Sequence, residues 1–262
     1  MRLLAAVSVV ALLFFSACQP TAPSSSGSPS AQAVVDSAIA AHEGTVLNRA
    51  VMTFDFRGDK YRICQNEGRF NYRRTYRDSL GHTVREGITY WCAFLFVAGD
   101  TVVLSPSAQN VVRTTVISVR YFAMLPEPLE DPAVQPKYSG RDTLNGVPYH
   151  RIQVTFREKG GGSDWQDVFM YWFRPDTYVM NYLSYAFGLA PSETDTGTRF
   201  REVYNVRRVN DVRVADYMNY TSDTLATNRM HLYPDLWEKD ALELVSRVEI
   251  DSVQVQPTSV CM

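Results

Sequence analysis

Val147-Pro148-Tyr149-His150-Arg151-Ile152-Gln153-Val154-Thr155-Phe156-Arg157 alternates along its whole length. His150, Ile152, Val154 and Phe156 fall on one side, and Tyr149, Arg151, Gln153, Thr155 and Arg157 on the other. Strand side chains repeat every two residues and helical ones every 3.6, so this stretch is a half-buried strand. Toward the C-terminus, Thr198–Arg208 sets Phe200, Tyr204 and Val206 against Arg199, Arg201 and Asn205. Val212–Tyr220 sets Val212, Val214, Met218 and Tyr220 against Arg213, Tyr217 and Asn219. Between them, Trp165–Phe173 and Tyr178–Phe187 are apolar on both faces, as strands covered on both sides are. The whole stretch from Val147 to Tyr220 predicts a large antiparallel sheet.

Toward the N-terminus the period of two persists. Met52, Phe54 and Phe56 alternate with Thr53, Asp55 and Arg57 before a turn at Gly58-Asp59. Arg57-Gly58-Asp59 also spells an adhesion tripeptide, and at a hairpin it reads as a turn. Lys60–Asn66 and Arg69–Asp78 form the next hairpin, with Phe70, Tyr72 and Tyr76 on one face. His82–Val97 follows, and Gly99-Asp100 turns into Thr101–Leu104. Ala108–Leu125 breaks the pattern with Val112, Val116, Val119 and Ala123 at helical spacing, although its valines and threonines favour helices poorly. Ser30–Glu43 reads as a shorter helix, capped by Ser30 and ended by Gly44. Pro126–Pro132 reads as a rigid, non-helical crossing. After Tyr220 comes a polar connection carrying Trp237, then Ala241–Val255 as a closing strand with Leu242, Leu244, Val248 and Ile250 inward. The expectation is a mainly β (α+β) chain of about ten or eleven strands and one or two helices.

The chain has 262 residues, 45% hydrophobic and 12% aromatic, enough to bury a large core as one domain over residues 33–262. A formal charge of −2 lacks the basic surplus of a nucleic-acid binder. Arg2, the apolar run Leu3–Phe15 and Ser16-Ala17-Cys18 look like a bacterial lipoprotein signal peptide covering residues 1–17, with Cys18 acylated. Two or three acyl chains on one cysteine anchor stably where one does not. Gln19 at the next position lacks the aspartate of inner-membrane retention, which points to the outer membrane. Residues 18–32, rich in Ser, Pro and Ala, read as a flexible tether reaching up to about 45 Å at roughly 3.3 Å per residue.

Ser118-Val119-Arg120-Tyr121-Phe122-Ala123-Met124-Leu125-Pro126 with Asp131-Pro132-Ala133-Val134 is one of three distinctive runs. The second is Gly160-Gly161-Gly162-Ser163-Asp164-Trp165-Gln166-Asp167 with Tyr171-Trp172. The third is Gly197-Thr198-Arg199-Phe200-Arg201-Glu202 with Asp216-Tyr217-Met218-Asn219-Tyr220. Through them the chain resembles an uncharacterised family of bacterial lipid-anchored proteins with a fold like LolA, LolB and the mycobacterial LppX carrier. The resemblance implies a strongly curved antiparallel sheet, a half-barrel, with helices plugging its concave side. It implies a hydrophobic cavity and no catalytic set. The turn Asn210-Asp211 departs from it, standing where a glycine is expected.

Motifs for chemistry are missing. His42, His82, His150 and His231 show no HxH or HExxH spacing, no Cys-x-x-Cys is present, and no metal or cofactor is called for. Gly160-Gly161-Gly162 lacks the lysine and helix of a phosphate loop. Asp164, Asp167, Glu202 and Asp216 could furnish a carboxylate pair for a hydrolase only across strands, because Asp164 and Asp167 have opposite parity on one strand. Arg199, Arg201, Arg207 and Arg213 form a basic face. Arg199, Arg201 and Arg213 are candidates for an acidic lipid head group, against the plainer reading of a solvated convex face. Cys64 and Cys92 sit two strands apart in a meander, roughly 10 Å between Cα atoms, which excludes a bond between them. The state of Cys261 is open.

Two functions stand side by side. The first is a lipid-anchored protein holding a lipid or other hydrophobic small molecule on the hollow side of the sheet. Its candidate lining is Phe54, Phe70, Tyr72, Trp91, Phe122 and His150, with Ile152, Phe156, Trp172 and Tyr182 from the central strands. Leu125 and Leu129 would form the rim. The second is an envelope scaffold or interaction module with these residues filling a closed core. A hydrolase comes third.

Overall fold

Met52, Phe54 and Phe56 are buried while Val51, Thr53 and Asp55 are less so, as a period of two requires of β1 (Arg49–Phe56). A two-residue turn, with Arg57 and Gly58 at φ of 53° and 86°, leads to β2 (Asp59–Asn66). This is the left-handed turn that matches strand twist, so the adhesion-like tripeptide is part of a hairpin. The meander continues through β3 (Arg69–Arg77), β4 (Thr83–Thr89), β5 (Ala93–Val97) and the short β6 (Asp100–Thr101). The second half carries β7 (Val134–Leu144), β8 (Val147–Phe156), β9 (Val168–Phe173), β10 (Met180–Phe187), β11 (Gly197–Val209) and β12 (Val212–Thr221). The last strands are β13 (Glu243–Val248) and β14 (Asp251–Pro257). The helices are α1 (Ala31–Ala41), α2 (Pro106–Ala123) and α3 (Tyr233–Trp237). These assignments come from a computed structural model describing residues 28–191 and 193–261, so the expected leader, Cys18 and most of the tether lie outside the described residues.

The fold is mainly β: fourteen described strands form two curved, seven-stranded antiparallel sheets that do not close. The first runs β14-β1-β2-β3-β4-β5-β6 and the second β13-β12-β11-β10-β9-β8-β7. The expected ten or eleven strands undercount this. The closing segment is two strands: β13 pairs with β12 in one sheet and β14 with β1 in the other. Glu249-Ile250 between them joins the two sheets. Asp216 locks that junction by accepting from the Ile250 N–H at 3.1 Å, and Arg207 bonds to the Ile250 carbonyl. Ile250 is buried as expected, but Leu244 is 45% exposed. Asn210 and Asp211 take φ of 46° and 67°, so the expected glycine is replaced by two residues that tolerate the left-handed region.

Both α1 and α2 pack on the hollow side, in one core shared by the two sheets. Ser30 caps α1 by accepting from Ala33 N at 3.0 Å, and Ser105 caps α2 ahead of Pro106. The valines do not prevent α2. Val112, Val116 and Val119 are buried, and about 1.5–3 kcal/mol per buried side chain outweighs a helix-propensity cost of at most about 0.7 kcal/mol. The crossing after α2 is helical after all, a 3-10 turn over Glu127–Glu130.

A second core lies on the outer face of the second sheet. Leu144, Tyr149, Met170, Trp172, Tyr182 and Phe200 are covered there by Met230, Tyr233 and Trp237. Trp172 and Tyr182 were expected on the hollow side, and the structure places them opposite. The reason is local: the segment after β12 supplies an apolar cover, with Tyr233 bonded to Thr198 at 2.6 Å, so both faces of β9 and β10 are buried. Cys64 pairs with Cys261, across β14 and β1, and Cys92 is exposed and unpaired.

Candidate functional site

Residues on β10 with odd numbers, Leu183, Tyr185 and Phe187, point to the hollow side because Tyr182 and Ala186 belong to the outer core. Phe169 of β9 and Phe156 of β8 join them, and α2 faces them with Ile117, Tyr121 and Phe122. Between sheet and helix runs an aromatic groove of about 430 Å³. Phe169 stacks on Tyr185 at 5.4 Å, Phe156 meets Phe169 edge-on at 5.8 Å, and Phe56 of β1 meets Phe122 edge-on at 4.9 Å. These ring pairs stabilise one another.

A second cleft of about 570 Å³ opens along the other flank of α2, against Phe70 and Tyr72 of β3. Ile117, Tyr121, Phe156 and Gly161 border both spaces, so they form one crescent around the helix. The second cleft has a polar floor. Arg120 Nη2 donates to both Glu127 carboxylate oxygens, at 3.1 and 3.0 Å, and Nη1 donates to Asp131 at 2.9 Å. Gln65 receives Arg120 Nε at 3.1 Å and gives its amide to Glu127 at 2.8 Å. Burial pushes the Glu127 carboxyl up, and the Arg120 charge and the Gln65 amide work against that.

The groove is polarised. Arg201 reaches into it from β11, its guanidinium 5.0 Å from the Tyr185 ring and 5.6 Å from Phe122. At the other end Asp164 and Asp167 sit beside Phe187. Burial raises the Asp167 carboxyl to about 6; the Leu189 and Gly188 N–H groups oppose this, and the Asp164 charge adds to it. The parity argument for these two acids fails because β9 begins only at Val168. Asp164 and Asp167 lie in the preceding loop and line the same space. Two buried hydroxyls on the hollow side, Tyr121 and Tyr171, have no hydrogen-bond partner.

The structure brings some expected residues together and scatters the rest. Phe122, Leu125, Phe156 and Arg201 line the groove, and Phe70, Tyr72 and Phe156 the second cleft. Phe54, Leu129 and Ile152 are closed core, Phe54 being stacked on Tyr61 at 5.4 Å. His150 is a core histidine, 3.2 Å from the Tyr138 hydroxyl, with its pKa lowered by burial. Trp91 is 83% exposed at the β4–β5 turn, against Tyr90, because the turn carries it off the sheet. Arg199 stacks on Phe187 without lining the groove, and Arg213 lies at the C-terminal end of α1, where its N–H donates to the His42 carbonyl at 3.0 Å. Sequence reasoning missed Phe56, Tyr121, Phe169, Tyr185 and Phe187. In strands apolar on both faces, parity alone does not say which face is hollow.

A two-sheet antiparallel arc around a helical plug, with an aromatic groove left between them, is the class of protein that this geometry defines. The chain belongs to the family of unknown function DUF6503, whose profile matches residues 12–250. No curated protein matches it. Among solved structures it is similar to a LolA superfamily protein of Nitrosomonas europaea, at 8% identity and a TM-score of 0.45, over 90% of this chain and 96% of that one. It is also similar to a DUF1329 family protein of Desulfovibrio piger, at 8% identity and a TM-score of 0.41, over 87% and 93%. A third is the Mycobacterium tuberculosis lipoprotein LppX, at 14% identity and a TM-score of 0.27, over 60% and 89%.

Proposed function

We propose that this chain is a lipid-anchored protein of the cell envelope that binds a hydrophobic ligand, a lipid or acyl chain, in the groove between α2 and the second sheet. Cys18 carries the anchor, the tether hangs the folded part in the periplasm from the outer membrane, and the protein performs no bond chemistry. One observation carries the reading: an aromatic-lined space of about 430 Å³ that the core leaves unfilled, within the usual size of ligand sites. Magnitudes favour a long tail. At about 0.8 kcal/mol per buried methylene, about eight methylenes supply some 6 kcal/mol, enough to exceed the low end of association costs. Among the described residues no helix is long and apolar enough to cross a membrane.

The test is native mass spectrometry of the full chain carrying Cys18→Ser, purified without detergent. An added mass released by organic solvent is expected. A bare polypeptide mass would remove the ligand. It would favour the scaffold or interaction reading, for which the exposed Tyr90 and Trp91 speak as a contact surface. Cys18→Ser should also move the protein from the membrane to the soluble fraction; persistence in the membrane would refute the anchor.

A further inference from the structure

The groove is apolar along most of its length, and its charges are segregated. Cross-strand register places Leu183 beside Arg201, and Phe187, next to the two acids, lies four residues further along β10. At about 3.3 Å per residue, Leu183 and Phe187 are about 13 Å apart along the strand, with the Arg201 guanidinium reaching Tyr185 between them. Arg57 lines the groove as well, stacked on Phe56, which in turn meets Phe122 beside Arg201.

Arg201 lacks an anion. Its Nε donates to Asn219 Oδ1 at 3.3 Å and its Nη2 to the Tyr185 hydroxyl at 3.0 Å, both neutral partners. Among the described residues no carboxylate lies within ion-pair distance of it, whereas Arg74, Arg120, Arg151 and Arg207 each have one. A guanidinium offers five N–H donors, so most of its capacity is unused.

We propose that the groove selects an amphiphile with a single acidic head, carboxylate or phosphate, which accepts hydrogen bonds from Arg201 while its tail lies across Phe169 toward Phe187. This rests on the apolar-ligand reading and adds the ligand's charge and direction. The reverse direction would set the anion against Asp164 and Asp167.

Displacement of the neutral dye N-phenyl-1-naphthylamine from the full chain carrying Cys18→Ser separates the two claims. The competitors share one tail: dodecanoate, dodecyl phosphate and 1-dodecanol. At least one acid should displace the dye at about a tenth of the alcohol's concentration or less, since charge-assisted hydrogen bonds contribute about 1.5–3 kcal/mol and 1.4 kcal/mol is tenfold. Which acid is tighter identifies the head. Arg201→Gln should bring the acid-to-alcohol ratio to about one. Equal displacement by the alcohol and both acids would overturn the acidic-head proposal and leave the apolar ligand standing. A preference that survives Arg201→Gln would likewise overturn it. No dye binding at all would remove both.

Discussion

Arg120 and Glu127 meet as a buried ion pair beneath the second cleft, with side chains 6% and 2% exposed and two hydrogen bonds between them. One partner comes from α2 and the other from the 3-10 turn after it, so the pair fixes how the chain leaves the plug. Removing one charge strands the other. Arg120→Met should cost about 3–5 kcal/mol in urea unfolding, and Arg120→Met with Glu127→Leu should cost less than Arg120→Met alone. A double variant less stable than that single would contradict the pairing.

Cys64 and Cys261 are 197 residues apart in sequence and joined by a disulfide. Cross-links over long loops typically contribute about 2–4 kcal/mol. Cys261→Ser should lower stability by that order. Before reduction, a thiol reagent should label Cys92, and after reduction Cys64 and Cys261 too. Labelling of Cys261 in the oxidised protein would refute the bridge.

His42 is buried, its Nδ1 2.8 Å from the Ala38 carbonyl. Burial, against that hydrogen bond and with help from Arg213 and Arg208, lowers its pKa from the ordinary 6.5 to about 4. The unfolded chain therefore takes up a proton below about 6.5 that the folded one refuses until about 4. Stability present above 6.5 is lost as pH falls through that window, by up to about 3 kcal/mol. His42→Gln should remove that slope, measured as unfolding free energy at pH 7 and pH 4.5. Parallel pH profiles for the two proteins would contradict it.

The orphaned hydroxyls make an unusual prediction for stability. Tyr171→Phe deletes a polar atom that has no partner and leaves the ring in place. The melting temperature should stay the same or rise, because desolvation of the hydroxyl no longer opposes folding. A loss of more than about 1 kcal/mol would mean that the hydroxyl has a partner in the empty protein.

The strands were legible because alternation is a local signal. The strands read over Val147–Arg157 and Val212–Tyr220 emerge as Val147–Phe156 and Val212–Thr221, and α2 keeps its buried stripe despite its valines. The half-barrel shape came from the resemblance, since periodicity does not carry curvature. What local pattern could not supply was the identity of the hollow face. Phe200 alternates with Arg201, and the natural reading puts the ring inward and the guanidinium out. The structure reverses it, because Tyr233 and Trp237 arrive from a segment that looked polar and cover Phe200 from outside. Trp172 and Tyr182 were misplaced for the same reason. Cys261 could not be assigned because its reach to Cys64 depends on β14 pairing with β1, a contact between the two ends of the chain.

The central claim is that the space between α2 and the second sheet receives a ligand, and a residue can be used to fill it. Ser118 is an exposed residue of α2 at the border of the groove. Titration of the full chain carrying Cys18→Ser with N-phenyl-1-naphthylamine should saturate at one dye per chain, and adding Ser118→Trp should abolish that binding while the protein stays folded. Undiminished binding in the filled variant, or no saturable binding in the parent, would contradict the account.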